Sequence, residues 1–222
     1  SFIEIIEMSY MGARVIHHSA VAICMEAGIP IRVRSSFNPE DEGTLISSQT
    51  EQKVVKGVTY KTDFHMIDVF DPKMIGSVGY AYNLLRILKD AEIPFEHITT
   101  SIASLSISIN DKDLPKGVCI ADVVREIKEK LKPKRVSNNY YNAMVCVVGE
   151  KMKDHPGIMG RAGTALARKS INVNTSYQGP SENNMIFGVR NDEGVEAVRA
   201  LHEEFFSKPL PRKAVYWLYM HI

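Results

Sequence analysis

The chain repeats itself at a spacing of 78 residues, which limits the fold to two copies of one small unit plus whatever lies outside them. Met66, Ile67, Val69 and Phe70 are echoed by Met144, Val145, Val147 and Val148, each set reading as a buried strand. A turn glycine follows in both, Gly79 and Gly157, and each opens an amphipathic helix. On those helices Ala81, Leu84 and Leu88 match Met159, Ala162 and Leu166 at three- or four-residue steps, so one face is apolar. Ile93 and Ile171 then introduce a second strand, and Ile120, Val123 and Ile127 align with Val198, Leu201 and Phe205 on a second helix. Identities are few: Met66 with Met144, Met74 with Met152, Gly79 with Gly157, Leu88 with Leu166 and Ile93 with Ile171. Apolar class, turn glycine and helix phase nonetheless agree together, and a slip of one residue would turn the apolar side chains toward water.

Read in order, the first copy predicts strands over residues 65–70, 95–99, 105–109 and 135–140, with helices over 79–91 and 118–131. The second copy repeats this from Ala143 and closes with a strand over 214–220, after the Pro209-Leu210-Pro211 break. The order βαββαβ in roughly 75 residues is the ferredoxin-like split βαβ, in which two helices cover one face of a four-stranded antiparallel sheet. The expected class is α+β. An uncovered sheet face or edge favours side-by-side pairing of copies or subunits. Ahead of the repeats, residues 2–27 read as one mostly buried helix carrying Ile3, Ile6, Met11, Val15, Val21 and Ile23. Gly28 to Pro30 stop it, residues 31–34 alternate as a strand, and residues 37–43 form a loop. A helix with one strand cannot close a core, so this block reads as the tail of something larger. The polar residues 47–53 read as a linker before a strand over 57–60. The expected division is therefore 1–47, a linker at 48–56, a first repeat domain at 57–141 and a second at 142–222.

At 45% hydrophobic and 24% charged, 222 residues can bury two modest cores. A net charge of +1 without a basic block predicts neither nucleic acid nor membrane as a partner. No apolar run approaches the ~20 residues of a membrane span, and no signal segment opens the chain, so a cytoplasmic location is expected. Cys24, Cys119 and Cys146 sit far apart in apolar runs and read as buried reduced thiols, and the sequon at Asn174 reads as chance.

The string GARVIHHSAVAICMEAGIPIRVRSSFNPEDEGTLI resembles the end of the kinase domain of aspartate kinases. Gly-Ala-Arg-Val, the Ile-Pro-Ile-Arg-Val strand, Phe-Asn-Pro-Glu and Gly-Thr-Leu occur here in that family's order. His18 replaces the proline usual after the histidine, and Ser35-Ser36 replace Asn-Thr. Two ACT domains follow in the family, and the repeat copies look like them, so the resemblance covers essentially the whole chain. It implies an opening helix-strand remnant of the α/β amino-acid-kinase domain, then two ACT domains in tandem. In that family the full-length enzyme moves the γ-phosphoryl of ATP, with Mg2+, to the side-chain carboxylate of aspartate, and the resemblance implies the same here. This chain carries neither the family's Lys-x-Gly-Gly segment nor a phosphate-cradling Gly-x-x-x-x-Gly-Lys-Ser/Thr loop, so no catalytic residue and no cofactor of its own are expected.

What the resemblance implies for the ACT pair is feedback by an amino acid held where ACT domains meet in a homodimer. The start of a helix suits such a ligand, since unpaired N–H groups and the positive dipole end receive its carboxylate. In the lysine-sensitive members the ligand-contacting positions correspond to Met74, Ser77, Gly79, Tyr80, Ala81, Phe95, Glu96, Thr100 and Ser101. Glu96 stands for an aspartate and would pair the ligand's ammonium; Pro94 replaces a serine and Ala81 a leucine. Lysine is expected ahead of threonine. Gln178, Gly179, Ser181, Asn183 and Asn184 match the polar turn that the family places at its dimer contact. Taken without the family, Gly79 reads as a turn glycine, Glu96 as a solvated strand charge and the 178–184 segment as a hairpin turn.

Other chemistry is weaker. Gly157, Gly160 and Gly163 do not make a Gly-x-Gly-x-x-Gly loop, and the repeat accounts for them. His17 and His18 would point to different sides of a helix, the remaining histidines share no spacing, and no metal site is expected. Two other readings stand beside feedback. A freestanding amino-acid sensor would leave residues 1–46 without a use; an enzyme acting unaided would turn over ATP and aspartate.

Overall fold

A computed structural model describes residues 1–13, 15–49 and 52–206, with the side chain of Tyr141 left out. The expected closing strand at 214–220 lies outside the described residues. The elements are α1 (Phe2–Tyr10), α2 (His18–Glu26), β1 (Ile31–Val33), β2 (Thr44–Ile46), β3 (Gly57–Phe70), α3 (Tyr80–Asp90), β4 (His97–Thr100), β5 (Ser104–Asn110), α4 (Ile120–Leu131), β6 (Arg135–Val148), α5 (Ile158–Arg168), β7 (Thr175–Gln178), β8 (Asn184–Arg190) and α6 (Gly194–Phe205). They group into two compact units, Thr62–Ala143 on one hand and Ser1–Lys61 with the chain from Met144 on the other.

The unit Thr62–Ala143 holds its strands in the order β4-β5-β3-β6, the arrangement of a split βαβ. β5 runs antiparallel to β3 with Val69 opposite Leu105 and Met66 opposite Ser108. β4 flanks β5 with Thr100 opposite Leu105 and His97 opposite Ser108. α3 and α4 press Leu84, Ile87, Leu88, Ile120, Val123 and Ile127 onto Ile67, Val69, Leu105, Ile107 and Ile109, one continuous apolar core.

In the other unit the order is β3-β6-β8-β7, with Gln178 opposite Met185. In this unit α5 and α6 contribute Ala162, Leu166, Val198 and Leu201, and the strands Val145, Val147, Phe187 and Val189, to the buried apolar residues. Both repeats thus adopt the expected α+β, ferredoxin-like form. The equivalence reaches single hydrogen bonds: Ile93 N–H donates to Leu88 O at 2.9 Å, and Ile171 N–H to Leu166 O at 3.1 Å. The residue before each isoleucine is left-handed, Glu92 at φ 54° and Ser170 at φ 57°.

The 14-residue strands β3 and β6 each contribute to both compact units. Several expectations about single elements are corrected. β3 is continuous where two strands were expected; at Asp63 it takes φ 68°, which breaks the alternation the sequence reading relied on. The helix expected over 2–27 is two helices. Gly12 adopts φ 101°, and a Cβ there would lie 2.4 Å from Tyr60 O, so close approach to β3 interrupts the helix. Nor is the block mostly buried: Phe2, Val21 and Ile46 form a small core, while Ile3, Val15 and Ile23 are exposed. β1 pairs antiparallel with an unexpected strand, β2. His17 is the N-cap of α2 and not a helical residue, so its ring stacks on His18 at 4.3 Å in place of pointing away. Cys146 is buried and Cys24 half-buried, but Cys119 is exposed because it caps α4 at the end of a surface loop.

Candidate functional site

The tip of α3 is built by the chain leaving β3. Asp71 N–H donates to Ala103 O at 2.9 Å, which fastens the end of β3 to the loop between β4 and β5. A single 3₁₀ turn, Pro72–Met74, follows, with Met74 N–H donating to Asp71 O at 3.0 Å. Gly79 then caps α3 at φ 81° with nothing within 4 Å of where a Cβ would stand, so its surface is open to a ligand. No side chain caps this helix, which leaves its first N–H groups unclaimed by a capping residue.

Seven of the nine expected effector residues lie at this end of the unit. Met74 and Ala81 pack partly against the core, while Ser77 and Gly79 are exposed. The Tyr80 hydroxyl donates to Asp71 Oδ2 at 3.1 Å. Burial of the phenol, with Asp71 as hydrogen-bond acceptor and neighbouring charge, pushes Tyr80 up from 10.0 to about 12. Thr100 ends β4 in the same cross-strand row as Val69, and Ser101 N–H donates to Ser104 O at 2.8 Å in the loop bonded to Asp71. Phe95 and Glu96 stand at the other end of β4. Glu96 N–H donates to Ser108 O at 2.9 Å, and Ser108 lies three residues from the Thr100 row, roughly 10 Å along the sheet. Phe95 lines a shallow 360 Å³ groove with Tyr82, Leu85, Arg86 and Lys89.

The turn between β7 and β8 is used within the chain. Asn184 Nδ2 donates to Glu7 Oε2 of α1 at 2.7 Å, and Gly179 N–H donates to Asn184 Oδ1 at 3.2 Å. Asn183 is also buried, its carbonyl accepting Gly149 N–H at 2.9 Å, whereas Gln178 and Ser181 are exposed.

Sequence reasoning missed Asp71, and it missed His65. His65 is buried, with Nε2 3.1 Å from Asp111 Oδ1, Nδ1 3.1 Å from Asn138 Nδ2, and its ring stacked on Tyr140 at 4.2 Å. The partners come from β6 and from Asp111 just past β5, and no spacing in the sequence signals them. Among the described residues no group of three or more His, Cys, Asp or Glu is placed to hold a metal. No helix among them is long and apolar enough to cross a membrane.

Residues 145–205 match the ACT domain. Aspartokinase 3 of Bacillus subtilis is 32% identical over 206 residues, which are 92% of this chain and 45% of that protein. The crystal structure of Clostridium acetobutylicum aspartate kinase superposes with a TM-score of 0.85 at 30% identity, over 92% of this chain and 48% of that one. The chain belongs with the regulatory region of aspartokinases. It spans a little under half the length of these two relatives. Escherichia coli aspartokinase III, solved in complex with lysine and aspartate, shares the fold at a TM-score of 0.73 and 22% identity, over 93% of this chain and 45% of that one. Because these matches run through α1, α2, β1 and β2 as well as the repeats, the freestanding-sensor reading is not favoured.

Proposed function

We propose that this aspartokinase regulatory region senses a free amino acid at the tip of α3 and feeds back on the kinase of the full-length enzyme. That kinase would transfer the γ-phosphoryl of ATP, with Mg2+, to the carboxylate side chain of aspartate. The observation that carries the reading is the juxtaposition of an uncapped, glycine-opened helix start with the hydroxyl-bearing loop at Thr100 and Ser101. The helix start offers N–H donors and a positive dipole end to an α-carboxylate. Thr100 and Ser101 offer hydroxyls to the same ligand. The Clostridium acetobutylicum relative is described as an allosteric enzyme, and lysine is a ligand of the Escherichia coli protein.

Lysine is the favoured effector, because Glu96 supplies a carboxylate for an ammonium. Since Glu96 lies at the far end of β4 from the tip, it would serve a ligand held against the tip of a second copy, which is why a homodimer belongs to the reading. Ile75, Val78 and Ile102 are 61%, 100% and 79% exposed around the α3 tip and would be covered in that dimer. A cytoplasmic setting is part of the same proposal. By linkage, an effector that favours an inactive arrangement binds it more tightly by the factor that it weakens substrate binding. Calorimetric titration tests this directly: lysine should give saturable heat, threonine less, and Glu96→Ala should weaken the lysine signal. Silence with both ligands defeats the reading.

A further inference from the structure

The second repeat serves as an internal control for the tip of the first. Gly149 occupies the place of Asp71, and its N–H donates to Asn183 O at 2.9 Å just as Asp71 N–H donates to Ala103 O at 2.9 Å. The first hydrogen bond after it is also shared, Met152 N–H to Gly149 O at 3.2 Å and Met74 N–H to Asp71 O at 3.0 Å, although the 3₁₀ turn itself is Pro72–Met74 in the first repeat and Met152–Asp154, two positions later, in the second. Gly157 is left-handed at φ 88° where Gly79 is at 81°. These hydrogen bonds at the strand end therefore form without a side chain at the first position; a Cβ on Gly149 would in fact meet Val54 O at 2.0 Å. The first repeat nevertheless keeps a carboxylate there that is only 2% exposed. Its Oδ1 accepts Lys73 N–H at 3.1 Å and its Oδ2 accepts the Tyr80 hydroxyl at 3.1 Å. Tyr80 corresponds to Ile158, so acid and phenol are absent together from the second repeat. Asp71 Oδ1 caps the 3₁₀ turn, but burying a carboxylate is costly even when it is hydrogen-bonded, and its second oxygen is turned to Tyr80 and not to the turn.

We infer that Asp71, acting through Tyr80, is the positioning residue of the amino-acid effector site. It ties the first turn of α3 to the loop that carries Ser101, so the two segments that would hold the ligand keep one spacing. The raised Tyr80 value agrees with a phenol that donates to a carboxylate and stays neutral. This rests on the effector reading of the first repeat, and the test separates the two.

Lysine is titrated calorimetrically into the wild-type chain, Asp71→Asn, Tyr80→Phe and the double variant, with thermal melting of each. Each single change should weaken lysine binding about tenfold, the scale of one hydrogen bond to a charged group. The double variant should be no weaker than the weaker single, because the two side chains act as one unit. Melting of Tyr80→Phe, which keeps the ring, should stay within a few degrees of wild type. Wild-type affinity in both single variants, or losses that multiply in the double, would overturn the inference. If Asp71→Asn fails to fold, Tyr80→Phe alone decides by the same criterion. Absence of heat with the wild-type chain would instead defeat the effector reading and this inference with it.

Discussion

Two thiols in this chain should behave oppositely. Burial pushes the Cys146 thiol well above the usual range, with Glu7 adding to the shift, whereas Cys119 stands exposed at the cap of α4. A maleimide should label Cys119 under native conditions and Cys146 only after unfolding; equal rates would show that Cys146 is not sealed in. Tyr80 makes a second prediction. An acid whose folded pKa is raised contributes stability that is complete below its unfolded value of 10.0 and drains as pH climbs through about 12. Phenolate absorbance should show a late-titrating tyrosine that vanishes in Tyr80→Phe. The paired glycines differ too. Gly79→Ala meets open space and should cost about 1 kcal/mol for its left-handed backbone. Gly149→Ala drives a methyl into Val54 O and should cost about 2 kcal/mol or more in urea unfolding.

At the scale of elements, the two helix layers are held together differently. Arg161 Nε donates to Glu204 Oε1 at 2.8 Å and its Nη2 to Glu204 O at 2.9 Å. Arg168 reaches the same carboxylate at 3.3 Å, and Lys169 pairs with Glu203 at 3.6 Å, so α5 and α6 are laced across their groove. The pairs Arg86–Asp90, Asp122–Arg125 and Glu126–Lys130 instead stay within α3 or α4. Glu204→Gln should lower stability by less than about 1 kcal/mol, and the loss should fade in high salt. Helices α3 to α6 were legible because each carries one apolar stripe at helical spacing, a local signal. β3 was read as two strands because the left-handed residue Asp63 breaks its alternation without ending it, and α1 and α2 merged because Gly12 lies too close to Tyr60 for a side chain. Asp71 was invisible for a similar reason. Its meaning depends on Ala103 and Tyr80, and only the comparison with Gly149 separates it from an ordinary turn aspartate.

For the whole molecule, association should depend on the apolar collar at the α3 tip. Val78→Asp should reduce self-association in sedimentation relative to the parent chain and should weaken lysine binding in parallel; association unchanged by the substitution would place the contact elsewhere. The routing of the backbone has a separate consequence. β3 and β6 are neighbouring strands, and Lys61 and Met144 both belong to the unit that also holds α1, α2 and the second repeat. The chain thus departs for its first repeat and comes home through adjacent strands. Excising residues 62–143 and sealing the gap with a tight hairpin should leave that host foldable. A unit entered and left through neighbouring strands can be exchanged as one piece while the remaining scaffold is kept.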